Sequence, residues 1–285
     1  MSRIVLIHGN CQGQMLNRVM SEISGWPDDL EFREVVSFEN PIRGWDVVTD
    51  DEMRRVVAMW SQFDERENFP HRDDLYARLP AGVKPIIFPN FDFLSLWPFA
   101  GVDPRNVPEI PDYPFGRFPW SDFIGAAIAK MNISDEQIYP TYLELTAKKM
   151  PNLDVRLERD ISRWRQRDAG CDVKVTDYIL ENFRSKRLFW TMSHVAGPTT
   201  VYTAQRLYEL SADALGGDRS HVAREFARLM AEFQGADDEQ VPIHPEVARH
   251  FKLEYYDPEA TYRHHSAWVT AEEYIRKYVK WEALW

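Results

Sequence analysis

The run Ile4-Val5-Leu6-Ile7 is wholly apolar and mostly β-branched, and it closes on His8-Gly9-Asn10. An unbroken stretch of this kind belongs to a strand buried on both faces, which occurs in parallel sheets covered by helices. Beyond the turn, Met15, Leu16, Val19, Met20 and Ile23 recur at helical spacing until Gly25-Trp26-Pro27 stops the pattern. The chain therefore opens as strand, turn and helix. Further strands are predicted at Phe32 to Phe38, Val56 to Trp60, Pro85 to Phe88 and Leu188 to Met192, each followed by turn or helix signals. The alternation predicts an α/β fold with a mainly parallel sheet flanked by helices.

The segment from Asn90 to Trp120 is rich in proline and aromatics. It reads as an ordered, irregular excursion, because aromatic rings need burial. Ser134 and Gln137 have the spacing of a capping box, and Leu153, Leu157, Ile161 and Trp164 share one face of a second helix. Asp177 to Phe183 is a shorter helical candidate. A long helix is predicted from about Pro198 to Gly216-Gly217, then one carrying Val222, Phe226, Leu229, Met230 and Phe233, and a last one opened by Thr270 and Glu273. Residues 1–285 are read as one α/β domain, with 130–185 and 219–285 as a helical lobe or additions beside the sheet.

Composition removes several function classes. The 45 acidic against 34 basic residues give a net charge of −11, which repels polyanions, so nucleic acid is not expected as a partner. Two cysteines, Cys11 and Cys171, are too few for a disulfide framework and lack zinc-site spacing. No apolar run approaches the length of a transmembrane segment, and the N-terminal one is too short for a signal-peptide core. A reducing, cytoplasmic setting is expected, and no metal site.

The turn Gly9-Asn10-Cys11-Gln12-Gly13 holds the chemistry of most interest. In open α/β sheets ligands bind beyond the carboxyl ends of the strands, where the turn meets a helix N-terminus. A thiol there feels the positive end of the helix, which favours the thiolate. Backbone N–H groups at the turn can hold an anionic oxygen, and Gly9 and Gly13 let a substrate come near the backbone. A cysteine nucleophile needs a base, and His194, directly after the expected strand at Leu188 to Met192, should stand at the same edge of the sheet. The bland reading of Cys11 is a small buried residue at a tight turn. His264-His265 has no completing ligands for a metal, and Arg184, Lys186 and Arg187 are candidates for an anionic ligand.

Gly9-Asn10-Cys11-Gln12 after a short strand, Gln62 after the third strand, Phe88-Pro89-Asn90, and Phe189 to His194 with its helix together resemble the WcbI-type family of capsular polysaccharide biosynthesis. That resemblance implies an acetyltransferase that binds coenzyme A, with acetyl-CoA as co-substrate, and a fold similar to the Ser-Gly-Asn-His esterases. It implies catalytic roles for Cys11 and His194, and contacts to the coenzyme from Gly9, Asn10, Gln12, Gly13 and Asn90. Thr191 stands three residues before His194, where the esterases carry an acid, so an orienting carboxylate has to come from elsewhere.

The expected function is transfer of an acyl group from coenzyme A to a hydroxyl of a sugar or glycan. A thioesterase or esterase uses the same parts with water as acceptor. A non-catalytic module binding coenzyme A or a glycan through the aromatic segment is the third reading.

Overall fold

In the computed structural model, which describes residues 2–42, 44–66 and 69–282, the first strand runs over Arg3–Gly9 (β1) and passes into α1 (Cys11–Glu22). The chain continues through β2 (Leu30–Val36), α2 (Asp50–Arg54), β3 (Val56–Gln62), α3 (Pro70–Ala77) and β4 (Pro85–Phe88). Helices α4 (Phe123–Ile128), α5 (Asp135–Lys149), α6 (Leu153–Ala169), α7 (Thr176–Asn182), α8 (Gly197–Leu215), α9 (Arg219–Glu232) and α10 (Pro245–Phe251) follow. A hairpin of β5 (Thr261–His264) and β6 (Ala267–Thr270) leads into α11 (Ala271–Lys280).

The chain divides into two compact units. The first comprises Met1–Phe91, Arg163–Glu181 and Val195–Ala236. Its four strands are all parallel, in the order β2-β1-β3-β4, as the apolar character of β1 requires. Ile4, Leu6 and Met59 pack on one face against Val48, Met53 and Leu75 of the α2 and α3 side. On the other face lies α8, whose Ser211 hydroxyl accepts from the Trp60 indole at 3.2 Å. Ile4 to Ile7 are completely buried, and each such side chain contributes roughly 1.5–3 kcal/mol. The chain moves to one side of β1 to form β2 and to the other to form β3, so the direction reverses between β1 and β3. That is the crevice where α/β sheets bind ligands. The fold is α/β, a four-stranded parallel sheet flanked by helices.

Helix α8 starts at Gly197 because nothing larger fits: a Cβ there would lie 1.5 Å from the Phe233 carbonyl oxygen. The second unit comprises Asp92–Ser162, Asn182–His194 and Asp237–Trp285. Its core gathers Phe99, Phe118, Ile124, Ile138, Tyr142, Tyr274, Ile275 and Tyr278. The proline-rich segment is ordered as expected, with Trp97, Phe99, Tyr113 and Phe118 buried and the Asn106 side chain accepting from the Phe118 N–H at 2.9 Å. Both expected capping boxes form, at Ser134/Gln137 and at Thr270/Glu273.

Leu188 to Met192 is not a strand. Leu188 and Phe189 are buried as a strand would be, but the backbone turns. The Trp190 N–H donates to the His194 carbonyl at 2.9 Å, and the Thr191 hydroxyl accepts from the N–H groups of Ser193 and His194. A short apolar run reports burial, and burial is shared by strands and packed loops. The β5–β6 hairpin and α10 were not foreseen. The hairpin turns through His265 at a positive φ of 50° without the glycine or asparagine that usually marks such a turn.

Candidate active site

Strand β1 ends in a turn fixed by its own side chains. Asn10 caps α1, its side-chain oxygen accepting from the Gln12 N–H at 2.9 Å, which satisfies one of the orphan donors of the first turn. The Asn10 N–H donates to Gln62 Oε1 at the end of β3, also at 2.9 Å. Gln62 Nε2 then donates to Gln12 Oε1 at 2.8 Å. Gln12 Oε1 also accepts from the Phe91 N–H at 3.0 Å while its Nε2 donates to the Phe91 carbonyl at 2.7 Å. Two buried carboxamides thus tie together the chain leaving β1, β3 and β4. Each amide has one sensible orientation, because turning either would set donors against donors.

Gly9 makes this closure possible. A Cβ at that position would stand 3.3 Å from both Gln62 Cβ and Oε1. Gly13 is different, since its nearest neighbour to a Cβ would be 3.8 Å away.

Cys11 is the first residue of α1 and is partly exposed, its Sγ 4.0 Å from Asn10 Oδ1. Cys171 is buried, and burial pushes its thiol up to about 12. The two thiols therefore differ in access and in chemistry. Beside the turn an open cleft of about 360 Å³ is lined by Asn10, Gln62 and Asn90 together with Asp64, Arg66 and Arg167. Of the sequence-nominated residues, the fold brings Asn10 and Asn90 to this cleft and Gly9, Cys11, Gln12 and Gly13 to the turn that bounds it. The Gln12 side chain faces inward and its N–H is occupied by Asn10.

His8 is buried near the end of β1, beside Phe69 and His71. Its Nδ1 meets the Ser61 hydroxyl at 3.1 Å, and that hydroxyl accepts from Tyr76 at 2.8 Å. The His8 Nε2 is buried without a partner among the described residues. Burial, reinforced by the neighbouring His71, pushes the His8 imidazole down to about 4.

His194 belongs to the second unit and Cys11 to the first. His194 follows the turn closed by Thr191, and the Trp120 ring packs edge-on against it with centroids 4.8 Å apart. The Trp120 N–H donates to Glu239 at 2.7 Å, which fixes the indole. Burial lowers the His194 pKa, and the negative charge of Asp238 partly offsets it. The imidazole is therefore neutral at pH 7, the form that accepts a proton. Its Nδ1 is buried without a partner among the described residues. Asp238 is the negative charge that acts on the imidazole, and it makes no hydrogen bond to it among the described residues. Asp238 and Glu239 were not nominated from sequence, and Trp120 was expected only as one of the aromatic side chains able to stack on a sugar. Only the aromatic density around Trp120 carried a signal.

Arg187 lies over the rings of Trp190 and Tyr255, and its Nη1 has no partner among the described residues. Among the described residues no cluster of three or more histidine, cysteine or carboxylate groups is placed to hold a metal. No helix among them is long and apolar enough to cross a membrane.

A family model described as polysaccharide biosynthesis enzyme WcbI matches residues 4–212. No curated protein matches the sequence. A solved structure of WcbI, described as a novel polysaccharide biosynthesis enzyme in a native form without a disulfide bond between coenzyme A and a cysteine, has the same fold. It superposes with a TM-score of 0.69 at 17% identity, over 99% of this chain and 90% of that one.

Proposed function

The chain belongs to the WcbI family of polysaccharide biosynthesis enzymes, and from that premise we propose that it transfers an acyl group from coenzyme A to a hydroxyl of a sugar or glycan. The observation that carries the reading is the partly exposed Cys11 thiol at the first position of α1, on a turn locked by Asn10, Gln12 and Gln62. A thiol so placed meets the positive end of the helix dipole at the mouth of the β1/β3 crevice.

The residues present suit the coenzyme. The cleft offers the Asn10 and Asn90 side chains and the exposed guanidinium of Arg66, donors fitted to amide and phosphate oxygens. When bound, the coenzyme supplies a thioester whose carbonyl carbon is open to attack.

Two routes use these groups. In the first, the Cys11 thiolate attacks the thioester carbonyl, the carbon–sulfur bond to the coenzyme breaks, and the coenzyme leaves as a thiolate that takes up a proton. The sugar hydroxyl then attacks the acyl-cysteine while His194 takes its proton, and the Cys11 thiolate is released. In the second, His194 takes the proton as the hydroxyl attacks the thioester directly, the carbon–sulfur bond to the coenzyme breaks, and the coenzyme thiolate leaves and takes up that proton, with Cys11 lining the site.

The test is a thermal-shift titration of the protein and of Cys11→Ala with coenzyme A, alongside release of free coenzyme thiol from acetyl-CoA with and without sugar acceptors. Binding to the native state raises the melting temperature, and thiol release should rise with acceptor. Absence of a shift in both proteins overturns the coenzyme assignment. Release independent of any acceptor overturns transfer in favour of hydrolysis. Full turnover by Cys11→Ser with no acyl adduct excludes the first route.

A further inference from the structure

The second unit holds a partly open cavity of about 50 Å³ walled by Trp97, Phe99, Trp120, Met192 and Ile275. Its polar neighbours are almost all satisfied within the protein. Asp122 accepts from the N–H groups of Ile124 and Gly125 and from the Tyr142 hydroxyl. His244 is held by Thr146 on one nitrogen and by the Glu246 N–H on the other. The Trp97 indole donates to the Val241 carbonyl at 3.2 Å, and the Tyr278 hydroxyl donates to Asp103 at 2.8 Å. The exception is Tyr274, which lines the cavity at 2% exposure with its hydroxyl buried and unpartnered among the described residues.

Apolar walls with one idle donor specify the occupant. A sugar carries many hydroxyls, each of which needs a partner on burial, and this cavity offers a single one, the Tyr274 hydroxyl. A short aliphatic chain ending in a carbonyl matches both features, the chain against the rings and the oxygen to the Tyr274 hydroxyl. The position fits as well. Trp120 lines the cavity and also packs on His194, so cavity and imidazole share a wall, and Met192 is two residues from His194. We infer that this cavity is the acyl-chain subsite, built for a short, unbranched acyl group whose carbonyl oxygen accepts from Tyr274. This rests on the transferase reading above. It adds that selectivity among acyl donors resides in the second unit and favours chains of a few carbons.

The experiment follows the Met192 methyl resonance in full-length protein labelled with [methyl-13C]methionine, assigned with Met192→Leu. Pentan-2-one should shift it saturably, and butane-2,3-diol should leave it in place. Tyr274→Phe, with its other methionine resonances unchanged, should weaken the ketone at least threefold. Butyryl-CoA should move the resonance and bind more tightly than coenzyme A alone. An unmoved Met192 with the ketone, or an equal shift with the diol, overturns the apolar subsite. Equal affinity for coenzyme A and butyryl-CoA with Met192 unmoved overturns the acyl assignment and leaves the transferase reading standing. A ketone shift in a protein that binds no coenzyme thioester overturns the transferase reading itself.

Discussion

The side-chain amides of Gln12 and Gln62 interlock, Gln62 Nε2 donating to Gln12 Oε1 at 2.8 Å while Gln62 Oε1 accepts from the Asn10 N–H. The bond joins the first helix to the end of β3 across the reversal of the sheet, and it sets the turn on which Cys11 stands. Gln62→Glu replaces the donating nitrogen by an oxygen and opposes two acceptors in a buried site. The variant should lose about 1–3 kcal/mol, the cost of an unmade buried hydrogen bond, read from urea denaturation at pH 7. An unchanged midpoint would mean that the interlock carries no weight in holding the turn.

Cys11 and Cys171 should separate cleanly in alkylation. With its thiol pushed up to about 12, Cys171 is on the order of 10⁻⁴ thiolate at pH 8 and is shielded as well. Iodoacetamide at pH 8 followed by peptide mass spectrometry should find label on Cys11 first, and coenzyme A should slow it. Equal rates at the two sites would remove the case for a reactive Cys11.

Gly13 and Gly9 should answer differently to alanine. At Gly13 a Cβ meets nothing nearer than 3.8 Å, and alanine is the better helix former, so Gly13→Ala should gain up to about 1 kcal/mol. If a ligand approaches this stretch of backbone, the same variant should bind coenzyme A more weakly. Gly9→Ala must push Gln62 from 3.3 Å contacts and should cost about 1–3 kcal/mol. Melting curves for the two variants moving in the same direction would contradict the packing described.

His8 gives the fold an acid limit. Burial holds its imidazole down to about 4, whereas in the unfolded chain it returns to about 6.5. Between those values the unfolded chain binds a proton that the native state refuses. The stabilisation is complete above pH 6.5 and is lost as the pH falls through 4. The span corresponds to about 3 kcal/mol. In His8→Gln, stability measured at pH 7, 5.5 and 4.5 should fall less steeply than in the parent by about one proton. Parallel curves would show that His8 titrates normally in the fold.

Burial lowers the His194 pKa and Asp238 raises it, so the acid limb of kcat/KM should lie below the ordinary histidine range. Asp238→Asn should move that limb to lower pH, because the opposing negative charge is gone. His194→Gln should reduce kcat about 10²–10⁴-fold without loss of coenzyme affinity. An acid limb that stays in place in Asp238→Asn would separate the two groups.

The amino-acid order by itself determined the elements whose signal is local. Ile4 to Ile7 had to be a doubly covered strand, and Thr270 with Glu273 had to open a helix, because period, capping and burial are properties of neighbouring residues. The nomination of Cys11 came from the same local logic, a turn between strand and helix, strengthened by the family resemblance. Tertiary structure decided what depends on distant partners. The run at Leu188 to Met192 is buried but turned, since the His194 carbonyl captures the Trp190 N–H and the Thr191 hydroxyl captures those of Ser193 and His194. Gln62 reaches Asn10 from 52 residues away, and Trp120 reaches His194 from a loop whose course no periodicity specifies. The idle hydroxyl of Tyr274 was likewise invisible in the sequence, because a helix stripe reports which side chains face inward and not whether each polar group finds a partner there.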